Sequence, residues 1–161
     1  MISPQQQVID ESYMKQALVL ARQAFELGEI PVGAVLVREE QTLGTGYNRC
    51  VTDHDPTAHA EVNALRSAAT CQKNFRLDGS TLYVTLEPCL MCCGAVLQSR
   101  VARLVYAARE PRTGAVVSVH ESFRVSGVEH HVAITEGIYA GESAALLQEF
   151  FKHRRDNVLP G

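Results

Sequence analysis

His59, Glu61, Cys89 and Cys92 are the residues of this chain whose types and spacing could do chemistry. They stand in His59-Ala60-Glu61 and in Pro88-Cys89-Leu90-Met91-Cys92. One imidazole and two thiolates make three zinc ligands. Three ligands leave one tetrahedral position open, the mark of a catalytic rather than a structural zinc. Zinc at such a site brings the pKa of water toward neutrality. A carboxylate two residues from the histidine can act first as base and then as acid. The set points to a metal-activated water with a proton carrier beside it, the makings of a hydrolytic centre. Each part alone is ambiguous, because a C-x-x-C pair also suits a redox site or a structural zinc ribbon. A structural site has no need of the proton carrier Glu61, and Cys50 and Cys71 are not spaced as a second ligand pair.

The elements that must position these residues follow from local pattern. After Asp55-Pro56, the stretch Thr57–Arg66 reads as a helix start, and first-turn side chains lean toward the N-terminus. His59 and Glu61 then converge just beyond the helix end. Ser80–Thr85 reads as a buried strand, and Glu87-Pro88-Cys89 turns into a second helix. Cys89 and Cys92, three apart, share a helical face. The positive end of that helix favours thiolates. Cys93 points about 100° away and belongs to the core.

Elsewhere the pattern predicts a helix over 10–28, strands over 31–37, 42–48, 101–107 and 131–135, and a closing helix over 141–155. The stretch 111–129 is the least readable. Strands alternating with helices imply an α/β chain whose sheet is covered on both faces.

With 161 residues and 46% hydrophobic composition, the chain suits a single folded domain over 1–161. Residues 1–9 are expected to be flexible and 156–161 to form a C-terminal tail. No secretory signal or membrane span is evident. Five cysteines, three of them at 89, 92 and 93, suit metal binding in a reducing, cytoplasmic setting rather than a disulfide framework. A net charge of −3 excludes a non-specific nucleic-acid binder, so any nucleic-acid contact must come from a local basic patch.

H-x-E followed by P-C-x-x-C is the signature of zinc deaminases acting on nucleobases and nucleotides. From about Asp10 to Arg155 the chain resembles the bacterial tRNA-specific adenosine deaminases. The matching stretches are Pro31–Val37, Asp55–Glu61, Thr81–Cys89, Ile134–Ile138 and Phe150–Arg155. The first three are shared in part with guanine and cytosine deaminases, whereas the C-terminal pieces point more narrowly to the tRNA enzymes. The resemblance implies a three-layer α/β/α, cytidine-deaminase-like fold around a mixed sheet of about five strands. It implies one zinc per chain on His59, Cys89 and Cys92, with Glu61 as proton shuttle. It also implies a homodimer acting on a tRNA anticodon stem-loop, converting the wobble adenosine to inosine.

By the same resemblance, Asn48 should hydrogen-bond the purine, and Ile30, Pro31 and Val32 should wall the pocket. The Ala60 N–H should meet the base edge, and Glu110, where the family more often has aspartate, should meet ribose or backbone. Arg109, Arg112, Phe150, Phe151, Lys152, Arg154 and Arg155 are the candidate RNA contacts. The residues alone also allow plainer readings. Asn48 could end a strand, and the closing cations could stabilise a helix C-terminus. A small-molecule deaminase of guanine, cytosine or a nucleoside is the competing enzyme, and a non-catalytic zinc module the competing class.

Overall fold

The computed structural model describes residues 1–157, so most of the expected tail lies outside the described residues. The chain runs α1 (Pro4–Glu26), β1 (Gly33–Arg38), β2 (Gln41–Tyr47), α2 (Ala60–Gln72), β3 (Thr81–Leu86), α3 (Leu90–Gln98), β4 (Arg103–Ala108), β5 (Ala133–Glu136) and α4 (Ala140–Asp156). The first helix begins six residues earlier than expected, and residues 4–9 are helical rather than flexible. Ser3 caps it, its hydroxyl accepting from the Gln6 N–H at 3.0 Å, and Pro4 opens the first turn. Proline is pre-organised for that position and gives up no needed donor there.

The five strands form one mixed sheet in the order β2-β1-β3-β4-β5. β1 pairs antiparallel with β2 and β3, while β3–β4 and β4–β5 are parallel. Side chains alternate across the pleat, and both faces are buried. Ala34, Leu36, Leu82, Val84, Leu104 and Tyr106 face one core with α2 and α3 residues. Val35, Val37, Tyr83, Val105 and Ala107 face the other with Met14 and Ala17 of α1. That double burial makes the central strands read as nearly continuous apolar runs. α4 packs on β4 and β3 beside α1, completing three layers.

Two features tie the layers together. Asp10, fully buried on α1, accepts a forked pair of bonds from Arg103 of β4 at 2.8 and 2.6 Å. Tyr83 of β3 donates to the same carboxylate at 2.9 Å. On the other face, α2 lies directly against β2. A Cβ at Gly44 would come within 2.5 Å of the Ala64 carbonyl, and one at Gly46 within 2.5 Å of the Ala60 carbonyl. Ala60, Ala64 and Ala68 are the helical side of this close approach.

Candidate metal centre and active-site cleft

The sheet directions bring the chemistry to one edge. The C-terminal ends of β2, β3 and β4 and the N-terminal end of β1 lie together, as the register pairs Gly33 with Tyr47 and Leu86 with Ala108 show. Ligands of α/β sheets bind at such strand ends. His59 is the N-cap of α2 and Cys89 the N-cap of α3, and neither side chain caps its own helix. Both are free to face the space between the two helix ends.

His59, Cys89 and Cys92 form the single three-donor metal-ligand cluster among the described residues, their ligand atoms all within 4.8 Å of one another. The His59 Nδ1 lies 3.6 Å from the Cys89 sulfur and 3.5 Å from the Cys92 sulfur. Zinc–nitrogen and zinc–sulfur bonds of about 2.0 and 2.3 Å at tetrahedral angles put those donors about 3.5 Å apart. The donor set therefore fits zinc in both chemistry and spacing. The hydrogen bond from the Cys92 thiol brings Cys89 down to about 4, despite burial. The same bond holds Cys92 well above the ordinary thiol value. A thiolate beside it holds the His59 ring up as well. Metal binding at such a site displaces protons from the ligands.

Glu61 is buried on the first turn of α2 and lines the cleft beside His59 and Cys89. Burial pushes its carboxyl above the ordinary range, outweighing bonds from its own N–H and the Cys92 thiol. A carboxyl so raised takes up a proton more readily near neutral pH. Cys93 faces the core, with its sulfur 3.8 Å from the Pro88 carbonyl. Burial pushes that thiol up to about 12, and its place in the core leaves it outside the clustered donors.

The cleft has a volume of about 450 Å³. Ile30, Val32, Asn48, Arg109 and Glu110 line it, whereas Pro31 does not and is buried. The Ala60 N–H also departs from expectation. It donates to the Asn48 Oδ1 at 2.8 Å and is already satisfied. The same bond orients Asn48, because only its oxygen can accept, leaving the amide NH₂ as the available end. Asn48 thus has its NH₂ left to donate, with one lone pair of its oxygen already used.

The closing helix splits into two stripes. Ser143, Leu146 and Phe150 are buried, and Phe150 packs edge-on against Phe25 with ring centres 5.5 Å apart. Phe150 is therefore core, correcting its expected place among the RNA contacts. Ala144, Leu147, Gln148 and Phe151 line the cleft instead. Their i, i+3, i+4, i+7 spacing is a second helical face, legible only when separated from the core stripe. Gln148 and Phe151 continue, with Glu110, into an adjoining cavity of about 580 Å³ walled by Arg112, Arg154 and Arg155. Lys152 is exposed but lines neither space. Arg109 forks onto Glu136 at 3.0 and 2.7 Å, so its charge is already paired.

Residues 7–108 match the family described as the cytidine and deoxycytidylate deaminase zinc-binding region, and the chain belongs to that family of zinc deaminases. The chain is 49% identical over 148 residues to a tRNA-specific adenosine deaminase of Haemophilus influenzae, covering 91% of this chain and 86% of that one. It is 40% identical over 149 residues to the Aquifex aeolicus tRNA-specific adenosine deaminase, covering 92% and 98%. Within the wider family it thus belongs with the tRNA-specific adenosine deaminases. A structure from studies of A-to-I editing by tRNA:A34 deaminases superposes with a TM-score of 0.82 at 41% identity, covering 84% of this chain and 98% of that one. A guanine deaminase from Nitrosomonas europaea superposes with a TM-score of 0.73 at 28% identity, covering 93% and 85%.

Proposed function

We propose that this chain is a zinc-dependent hydrolase that deaminates the wobble adenosine of a tRNA anticodon to inosine, acting in the cytoplasm. The observation that carries the substrate is the adjacency of two spaces. The cleft holding Glu61 and Asn48 and the cavity walled by Arg112, Arg154 and Arg155 share Glu110, Gln148 and Phe151 as lining residues. A free base fills only the first. A nucleotide within a strand needs the second for its neighbours, whose bases can stack on an aromatic face and whose phosphates meet arginines. Enzymes that act on a base take it out of its stack, and the flanking contacts hold it there.

Zinc on His59, Cys89 and Cys92 supplies the Lewis acidity that activates water at neutral pH. The Glu61 carboxylate takes the proton of the attacking water and places it on the ring nitrogen beside C6. It then carries the second proton to the amine as the C6–N bond breaks and ammonia leaves. The Asn48 NH₂ donates to an acceptor on the purine edge, while its oxygen keeps the start of α2 in place. Ile30, Val32 and Leu86 exclude water around the ring.

With net charge −3, RNA binding must be local. The double substitution Arg154→Ala with Arg155→Ala is expected to weaken binding of an anticodon stem-loop. It should also flatten the salt dependence by about one unit of slope per lost phosphate contact. Zinc content should stay unchanged. Rates on the stem-loop, free adenosine and guanine, read for inosine or ammonia, test the substrate. A wild type that turns over a free base faster than the RNA, with a double mutant that binds RNA normally, decides for the small-molecule deaminase.

A homodimer belongs to the same reading. Val62, Leu65, Ala69 and Ala95 line an apolar groove along α2 and α3, with Phe75 at its rim 72% exposed. Sedimentation should give twice the 17.7 kDa chain mass, and Phe75→Asp should shift it toward the monomer. A wild type sedimenting as a monomer refutes the pairing.

A further inference from the structure

Two segments meet at the cleft without an obvious reason to hold each other. One is the turn Glu87-Pro88 that leads β3 into the metal ligand Cys89. The other is the irregular loop 110–118 after β4, which brings Glu110 and Thr113 to the cleft wall. Glu87 is 2% exposed and joins them. Its Oε1 accepts the Glu110 N–H at 3.2 Å and the Ser118 hydroxyl. Its Oε2 accepts the N–H groups of Val116, Val117 and Ser118 at 3.1, 3.0 and 3.0 Å. Every one of these partners lies 23 to 31 residues away in sequence. The main chains are paired at both ends of the same contact, Glu87 N–H to the Ala108 carbonyl and Ala115 N–H to the Pro88 carbonyl, each at 2.8 Å. Gly114 makes room for it, since a Cβ there would lie 2.5 Å from the Glu87 Oε2.

A buried carboxylate that accepts five donors is costly unless all are satisfied. The loop has no helix or strand of its own from 110 to 118 to order it. We infer that Glu87 is the positioning residue of the substrate wall: its carboxylate sets the conformation of loop 110–118 and so the place of Glu110 in the cleft. This rests on the deaminase reading for the identity of the substrate. It does not rest on that reading for the loop.

The substitution Glu87→Gln separates the two. An amide keeps one acceptor but sets an NH₂ against donors, leaving the Glu110 N–H without a partner. Ser118→Ala removes a single donor, a milder change that keeps the test alive if the glutamine variant fails to fold. Both variants should keep one zinc per chain and exchange the amides of Glu110 and 116–118 faster than wild type. For Glu87→Gln, KM on an anticodon-loop RNA should rise about ten-fold or more, the scale of a lost charged hydrogen bond. kcat should stay within about three-fold, because Glu61 is untouched. Ser118→Ala should shift KM in the same direction by less. Unchanged exchange in the segment, an unchanged KM, or zinc lost in step with activity overturns the assignment. If wild type turns over a free base instead of the RNA, the substrate reading fails. The loop assignment is then still decided by exchange and by the KM for that base.

Discussion

Glu61→Ala is expected to retain one zinc per chain and to lose about 10²–10⁴-fold in turnover, the range that a positioned proton carrier supplies. The upper end is the better expectation here, since one carboxylate serves both the attack of water and the departure of ammonia. Retention of the metal follows from the geometry, because Glu61 is not among the three clustered donors. Metal analysis beside single-turnover rates is the measurement. Near-normal turnover with zinc in place sinks the assigned role. Loss of zinc places Glu61 in the ligand set instead.

Asp10→Ala is expected to cost about 3–5 kcal/mol of folding stability, the range for removing one partner of a buried pair. Two circumstances decide the size. Asp10 is fully buried, and the Arg103 side chain it would strand is only 17% exposed. The Tyr83 hydroxyl loses its acceptor as well. By contrast Arg76 and Asp78 are both more than half exposed, and breaking that pair should move stability far less, because solvent screens it. Burial alone pushes the Asp10 carboxyl up, but bonds from Arg103, Gln6 and Tyr83 hold it below the ordinary aspartate range. Its contribution is therefore present above about pH 4 and lost as pH falls through the depressed value. Chemical denaturation of both proteins at neutral and acid pH tests this. A wild-type advantage that persists undiminished into strong acid argues against the ion pair as its source.

The metal ligands and Glu61 were legible because their chemistry is written in residue type and short spacing. The strands were legible because both faces of the sheet are buried, so Ala34–Val37 and Leu82–Val84 carry no charged residue to confuse the period. The start of α1 was missed although Ser3-Pro4 announces it; the polar glutamines that follow hid the signal. On the closing helix, adjacent Phe150 and Phe151 cannot both face the core, but only the packing decides that Phe150 turns inward and Phe151 toward the cleft. Loop 110–118 falls almost wholly in the stretch 111–129 that reads least well, and like the loop at 49–52 it carries no local signal. Their order comes from distant buried carboxylates. Glu87 holds one, and Glu29 the other through the N–H groups of Val51 and Thr52 at 3.1 and 2.7 Å. Nothing local distinguishes a buried glutamate from a solvated one.

The contact of α2 with β2 reaches further than packing. His59 heads that helix, and its depth relative to Asn48 at the end of β2 is set by how closely the helix can settle on the strand. Gly44 and Gly46 contribute by what they lack. A methyl group at Gly46 would meet the Ala60 carbonyl and lift the first turn away from the sheet, carrying the imidazole and the Glu61 carboxyl with it. The seating of the imidazole is thus tied to two absent side chains on the neighbouring strand. Any side chain placed at those glycines would be felt by chemistry it never touches.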